Sequence, residues 1–399
     1  MSEKQNDKWA EELKELPIFN MSLSSKELFH SNFIGWILET YPVEMGKKFS
    51  EVLGLEKNEK IENVQREKNN IDLSFELGDT LVLIENKVKS IAYKEQLDKY
   101  SKYKIPKDKD KEAKYILLSL KRPTFFDNNK DKTPNYKEWI YVSYEEFIGE
   151  YLELLLHSKI DEYHELLIRD YIKFIDILDK KIMQEIDNTS IVNFYKKDTD
   201  ENKLFSTLKE IRMHDFFQKG LFENLAQSIC SRLGNDSVEV HLGKREKGKN
   251  YNKTVTISHG MTRAVGLLDI KYQYDENITI GIQIQGNQYR KIIEGTDEKN
   301  VFSKAEELKD SLFNFPGVLN DNDILPSKDN TKLKELVDTK KINVVDLAFN
   351  KYHTGNHLFL YKYATLDKIL GNEDTTEKKE INQKLVDLVC EDIENMIHI

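Results

Sequence analysis

The sequence predicts a two-domain α/β (α+β) protein: a mixed sheet with flanking helices, then a helical connector, then a second, smaller α/β domain. Three observations carry this. The chain has 399 residues, more than one hydrophobic core usually accommodates. Segments with a 3.6-residue apolar period alternate with short period-two runs in the order α-β-β-β-α-β-β-α. An unbroken helical stretch follows, and strands then return. The expected boundaries are 1–150, 151–235 and 236–399.

The first helix is read from "SSKELFHSNFIGWILETYP", residues 24–42, where a serine cap precedes Leu28, Phe29, Phe33, Trp36 and Ile37 on one helical period and Pro42 ends the run. Three strands follow in "ENVQRE", "IDLSFEL" and "TLVLIENKV". The last two flank Gly78 and Asp79, a good two-residue hairpin turn. Residues 92–103 read as a helix, "AKYILLSL" as a buried strand, "EWIYVSY" as a strand and "EEFIGEYLELLL" as a helix. Helical periodicity continues to Leu233. "SVEVHL", "KTVTISH", "LLDIKYQY" and "ITIGIQIQ" then read as strands, closed by a terminal helix over residues 376–396.

Composition narrows the function classes. The chain is 39% hydrophobic and 33% charged, an ordinary globular balance. Cys230 and Cys390 are its two cysteines. Their spacing supports neither a disulfide framework nor a zinc site, which fits a reducing, cytoplasmic setting. No run approaches the ~18 apolar residues of a membrane span, and the charged N-terminus lacks an apolar leader, so a soluble protein without membrane partners is expected. The net charge of -10 argues against a general nucleic-acid coat. Between Lys87 and Lys114, however, ten lysines face five acids, which makes either a local phosphate-attracting patch or a solvated helix face and loop. No HExxH, GxxxxGK[ST] or GxSxG motif occurs.

The hairpin carries the chemistry. A two-residue turn at Gly78 and Asp79 sets Leu77 against Thr80 and, continuing, Asp72 against Glu85. Alternation then puts Ile71, Leu73, Phe75, Leu77, Val82, Ile84 and Val88 on a core face, and Asp72, Ser74, Glu76, Glu85 and Lys87 on the other. Directly opposed carboxylates repel, so something must offset them. A divalent cation would, since Mg²⁺ accepts one or two carboxylates plus water and phosphate oxygens. Two plainer readings stay open: an exposed strand face neutralised by Lys87, or a longer turn with another register.

Asp72 followed by Glu85-Asn86-Lys87 resembles the D…(D/E)xK signature of the PD-(D/E)XK nuclease superfamily. Gln96 and Tyr100 on the next helix resemble the QxxxY motif of its RecB-like branch, and "KELFHSNFIGWIL" resembles its first helix. The resemblance covers roughly residues 24–150, with Ile71 where the eponymous proline would stand. It implies a restriction-endonuclease-like αβββαβ core and a Mg²⁺-dependent nuclease, with Mn²⁺ able to substitute. Asp72, Glu85, Lys87, Gln96 and Tyr100 would be catalytic. Asp72, Glu85, the Asn86 carbonyl and the auxiliary acid Glu27 would hold the metal. It points to nucleic acid as partner, DNA before RNA, in bacterial restriction, repair or anti-phage defence, and is compatible with a homo-oligomer. From the residues alone, Tyr100 reads as a packing side chain. Glu27, His30 and Ser31 share a helix face, where His30 more often makes an ordinary hydrogen bond.

The second half repeats the design as D…QxQ. A three-residue loop over Asp275, Glu276 and Asn277 sets Asp269 against Gln283, with Gln285 where the lysine would fall. Amides anchor magnesium poorly, so no metal is expected there. The loop "GKREKGKNYNK", residues 243–253, mixes bases and tyrosine in a way that suits a phosphate backbone. Recognition of substrate or control of activity is the expectation for this domain. Two rivals to a DNA nuclease remain: a non-catalytic nucleic-acid or protein-binding module on the same fold, and an RNA-cleaving toxin.

Overall fold

The computed structural model describes residues 8–23, 25, 27–55, 59–68, 70–101, 112–126, 135–195, 200–234, 239–243, 251, 253–315, 350–354, 357–370 and 378–399. The chain divides into two compact units, Met1–Ile186 with Ser206–Gly220, and Asp187–Phe205 with Leu221–Ile399. The helices expected as a connector are therefore shared between the units. The lysine-rich residues 102–111, the serine expected as a cap at position 24 and residues 244–250 of the basic loop lie outside the described residues.

In the first unit, α1 (Lys8–Glu15), α2 (Pro17–Ser22), α3 (Leu28–Thr40) and α4 (Pro42–Leu53) precede the sheet. α1, α2 and α4 were not expected; in α2 and α4, Pro17 and Pro42 each stand at a first helical position, where the missing N–H costs nothing. Pro42 thus ends one helix and opens the next. The strands are β1 (Ile61–Lys68), β2 (Ile71–Leu77), β3 (Thr80–Lys87), β4 (Glu112–Ser119), β5 (Asn135–Tyr136) and β6 (Trp139–Ser143), in the order β1-β2-β3-β4-β6-β5. β1, β2 and β3 pair antiparallel, whereas β3, β4 and β6 run parallel, so the sheet is mixed. Helix α5 (Lys94–Ser101) makes the crossover from β3 to β4.

The hairpin register is the expected one, with Leu77 against Thr80, Phe75 against Val82 and Leu73 against Ile84. The ladder ends there, one residue short of Asp72. Ile71 accordingly leaves its expected place beside Leu73 and packs with Leu97, Tyr100, Tyr115 and Leu117, the cluster under α5. The hairpin therefore has apolar packing on both faces. α3 also differs from expectation. Leu28 is 48% exposed, while His30, Ser31, Ile34, Gly35, Ile37 and Leu38 are buried. Phe33 instead stacks on Tyr171 of a later helix at 4.1 Å. Gly35 lies close against β1: a Cβ there would sit 2.4 Å from the side chain of Arg66.

In the second unit, β7 (Glu239–Leu242), β8 (Thr254–Thr262), β9 (Val265–Gln273), β10 (Ile278–Gln285), β11 (Gln288–Gly295), β12 (Asn350–Thr354) and β13 (His357–Thr365) form one sheet in the order β12-β13-β11-β10-β9-β8-β7. The four strands read from sequence are present, and Asp269 does face Gln283. One face is apolar, with Leu268, Ile270, Ile280, Ile282, Ile284 and Ile293 each 0% exposed. The terminal helix Lys378–Ile397 contributes Leu385, Val389 and Ile393 to this core. Its Asp392 meets Lys291 at 2.6 Å and accepts from the Tyr289 hydroxyl at 2.7 Å.

Candidate active site

Strand β3 carries three consecutive candidate residues, and alternation sends them to two sides. Glu85 and Lys87 point toward Asp72, whereas the Asn86 side chain points into the core. Lys87 Nζ lies 2.5 Å from Glu85 Oε1 and 3.7 Å from Asp72 Oδ2, so the ammonium bridges both carboxylates. Where the ladder stops, Asp72 Oδ2 accepts the backbone N–H of Asn86 at 2.8 Å, a side-chain bond in place of the next pair. Glu85 is 1% exposed, and its Oε2 is buried with no hydrogen-bond partner. A buried carboxylate oxygen without a donor is costly, and the site is built around one.

Electrostatics follow from this burial. Burial is the main reason Glu85 is pushed up to about 7, with Asp72 adding repulsion and Lys87 opposing it. Burial likewise raises Asp72, against the pull of Lys87 and the Asn86 N–H. For Lys87, burial favours the neutral amine, but the attraction of Glu85 and Asp72 outweighs it and holds the ammonium above its ordinary value.

Helix α5 brings the next expected pair to the site. Gln96 Nε2 donates to Glu85 Oε1 at 2.6 Å and to the Tyr100 hydroxyl at 3.1 Å. Tyr100 is also buried in the α5 cluster, so it packs and bonds at once.

Glu27 has a different place from the one expected of an auxiliary metal acid. Its oxygens accept the N–H groups of Val88 at 2.9 Å and Lys89 at 3.2 and 3.3 Å, and the Ser90 hydroxyl at 2.6 Å. The carboxylate is taken up by the turn that leaves β3. Among the described residues no group of three or more His, Cys, Asp or Glu side chains is arranged to hold a metal, so Glu27 does not complete a set with Asp72 and Glu85. Lys89 returns the contact, donating to the carbonyls of Ser22 and Ser25 at 2.9 and 3.2 Å. The loop before α3 and the turn after β3 thereby hold each other.

Beneath β3 lies a network that sequence reasoning missed. The Asn86 amide donates to Ser31 Oγ at 3.2 Å and accepts from the Tyr144 hydroxyl at 2.6 Å. Tyr144 is hydrogen-bonded to Tyr171, whose hydroxyl is 3.1 Å from His30 Nδ1. His30 is fully buried, which drives its pKa well below the ordinary value and keeps the ring neutral. It is part of this support and not of the carboxylate cluster. The only sequence signal for the network was the shared helix face of His30 and Ser31.

Two carboxylates, one of them with an orphaned buried oxygen, are donors of the kind a hard divalent cation accepts, so the residues fit one. Residues 17–173 match the family model of the PD-(D/E)XK nuclease superfamily. The match runs from α2 into the helix Glu162–Ile177 and takes in the whole six-stranded sheet, and it places this segment in that superfamily, whose nucleases generally use divalent metal ions. No curated protein and no solved structure matches the chain. Among the described residues no helix is long and apolar enough to cross a membrane.

Proposed function

We propose that the first unit is a Mg²⁺-dependent nuclease that hydrolyses phosphodiester bonds of DNA, with Mn²⁺ able to replace Mg²⁺, and that the protein works in the cytoplasm in bacterial restriction or anti-phage defence. The observation that carries the reading is the unpartnered Glu85 Oε2, buried beside Asp72 and Lys87. That oxygen lacks a positive partner, and Lys87 already meets the other one.

Asp72, Glu85 and the backbone carbonyl of Asn86 would hold the ion. Bound there, it supplies positive charge to the phosphoryl group and makes a water more acidic. The remaining work belongs to the chain. Lys87 presents ammonium N–H donors to the charge that grows on the phosphoryl oxygens. Gln96, itself bonded to Tyr100, fixes the Glu85 carboxylate, and the Tyr100 hydroxyl keeps its own O–H to donate to a neighbouring phosphate. Glu27 and Lys89 clamp the turn after Lys87, and Tyr144 with Ser31 fixes β3 from below, which preserves the alignment that in-line attack requires. The second unit is proposed to recognise substrate or to control cleavage.

The test is a substrate panel: plasmid, linear and single-stranded DNA and RNA, incubated with Mg²⁺, Mn²⁺ or a chelator. Metal-dependent cleavage of DNA that disappears in a folded Lys87→Ala protein is the expected result. Cleavage of RNA alone would reassign the substrate, and no cleavage of any substrate with either metal would overturn the nuclease reading.

A further inference from the structure

The two faces of the sheet in the second unit differ in chemistry. Leu358, Leu360 and Ala364 of β13 are 0% exposed and belong to the apolar core. Phe359, Tyr361 and Tyr363 alternate with them onto the opposite face, and each is half-buried. Their rings form a row, with centroids 5.6 Å apart from Phe359 to Tyr361 and 6.2 Å from Tyr361 to Tyr363. Each step is a little under twice the ~3.4 Å rise between nucleotides in a stacked strand.

Arg290 lies beside this row, in register with Tyr363 on one side and Gln283 on the other. Its guanidinium stacks 4.6 Å from the centroid of Tyr361. The N–H groups donate to Gln283 Oε1 at 2.6 Å and to Gln288 Oε1 at 2.9 and 2.5 Å. These acceptors are neutral amides, and among the described residues Arg290 has no carboxylate within ion-pair distance. Asp269, opposite Gln283 on β9, accepts from Gln283 instead at 2.7 Å. Burial chiefly, with a smaller push from Arg263, holds the Arg290 pKa below its ordinary value. A half-buried guanidinium held over a ring by amides, with a second arginine near it, keeps its charge available for an anion.

We propose that this face binds single-stranded nucleic acid, with unstacked bases lying along Phe359, Tyr361 and Tyr363 and a phosphate drawn to Arg290 and Arg263. Bases stack on aromatic rings and on guanidinium planes, whatever their sequence. A duplex conceals the base faces that such a row would use. A guanidinium and amide groups beside the rings suit a polar, anionic strand better than the apolar centre of a protein interface. The choice of nucleic acid as occupant rests on the nuclease reading, which it deepens by naming an unpaired strand as the form recognised.

The test uses the full chain in EDTA, so that binding is read without cleavage. Fluorescence anisotropy compares an oligothymidine of about 15 nucleotides, long enough for one such site, with a duplex of the same length. Single strands are expected to bind more tightly, and Tyr361→Ala and Arg290→Met each to weaken that binding about tenfold or more. Tyr361→Phe retains the ring and is expected to keep wild-type affinity, which separates lost stacking from misfolding. No affinity of the wild type for single strands, or unchanged affinity in both Tyr361→Ala and Arg290→Met, would overturn the inference. A protein that binds single strands yet cleaves nothing with Mg²⁺ or Mn²⁺ leaves it standing and removes the nuclease reading. One that cleaves without this binding removes the inference alone.

Discussion

Gln96 and Lys87 converge on the same atom: both donate to Glu85 Oε1, at 2.6 and 2.5 Å, and leave Oε2 without a partner. Two donors on one oxygen orient the carboxylate so that the other oxygen faces the place proposed for a cation. Gln96→Ala removes one orienting bond and no ligand. Partners of this kind typically contribute 10–100-fold to metal affinity, so a loss of about that size is expected. Titration of Mn²⁺ into the nucleic-acid-free protein by calorimetry would read it, and an unchanged affinity would leave Gln96 as packing only.

Lys87 should behave differently from the two acids. Asp72→Asn and Glu85→Gln are expected to abolish both cleavage and the rise in melting temperature that Mg²⁺ or Mn²⁺ produces. Lys87→Ala removes a donor to the developing charge but none of the proposed ligands. Cleavage should then fall about 100-fold or more, in line with losing one such donor, while the metal-induced rise in melting temperature persists. Loss of that rise in Lys87→Ala would place the ammonium in the metal site's assembly instead of the reaction.

What the sequence disclosed about this site follows from how local each contact is. Gly78 and Asp79 with period-two alternation sufficed to set Leu77 against Thr80, and so to bring Asp72 near Glu85. Gln96 was within reach because a helix follows β3 directly. Ile71 was misplaced because the ladder stops at Leu73, where the Asp72 side chain takes the Asn86 N–H. No periodicity encodes that exchange. The clamp from Glu27 to residues 88–90 and the bond from Tyr144 to Asn86 join positions 61 to 63 and 58 residues apart. Such pairs are set by tertiary packing and leave no trace in local pattern. α4 was hidden for a simpler reason: Pro42 reads as a stop from one side and as a first helical position from the other.

The Tyr144 hydroxyl donates to Asn86 Oδ1 at 2.6 Å, with both residues 1% exposed or less. Tyr144→Phe would leave that buried oxygen without its donor, at a cost of about 1–3 kcal/mol. Tyr151 is the internal control, because its hydroxyl is buried with no partner. Tyr151→Phe deletes a group that bonds to nothing and is expected to be neutral or slightly stabilising. Urea unfolding of the two variants should separate them clearly, and equal losses would mean the Tyr144 bond has no special weight beneath β3.

Asp179 gives a pH-dependent test away from the site. Burial first, then repulsion from Glu145 and Asp176, raises its carboxyl from 3.8 to about 6 in the folded protein. A folded value above the unfolded one means that the native state holds the proton more tightly. The resulting stability is full below the unfolded value of 3.8 and is lost as pH rises through about 6. A shift of this size corresponds to about 3 kcal/mol at most. The side chain stays half-exposed, and solvent screening reduces the expectation to about 1 kcal/mol. Asp179→Asn removes the charge, so the variant should exceed wild type in stability by about that amount at pH 8 and match it near pH 4. Urea unfolding at the two pH values measures the difference directly. A stability gain that is the same at both would show that the substitution acts through packing and that Asp179 ionises in the native state without penalty.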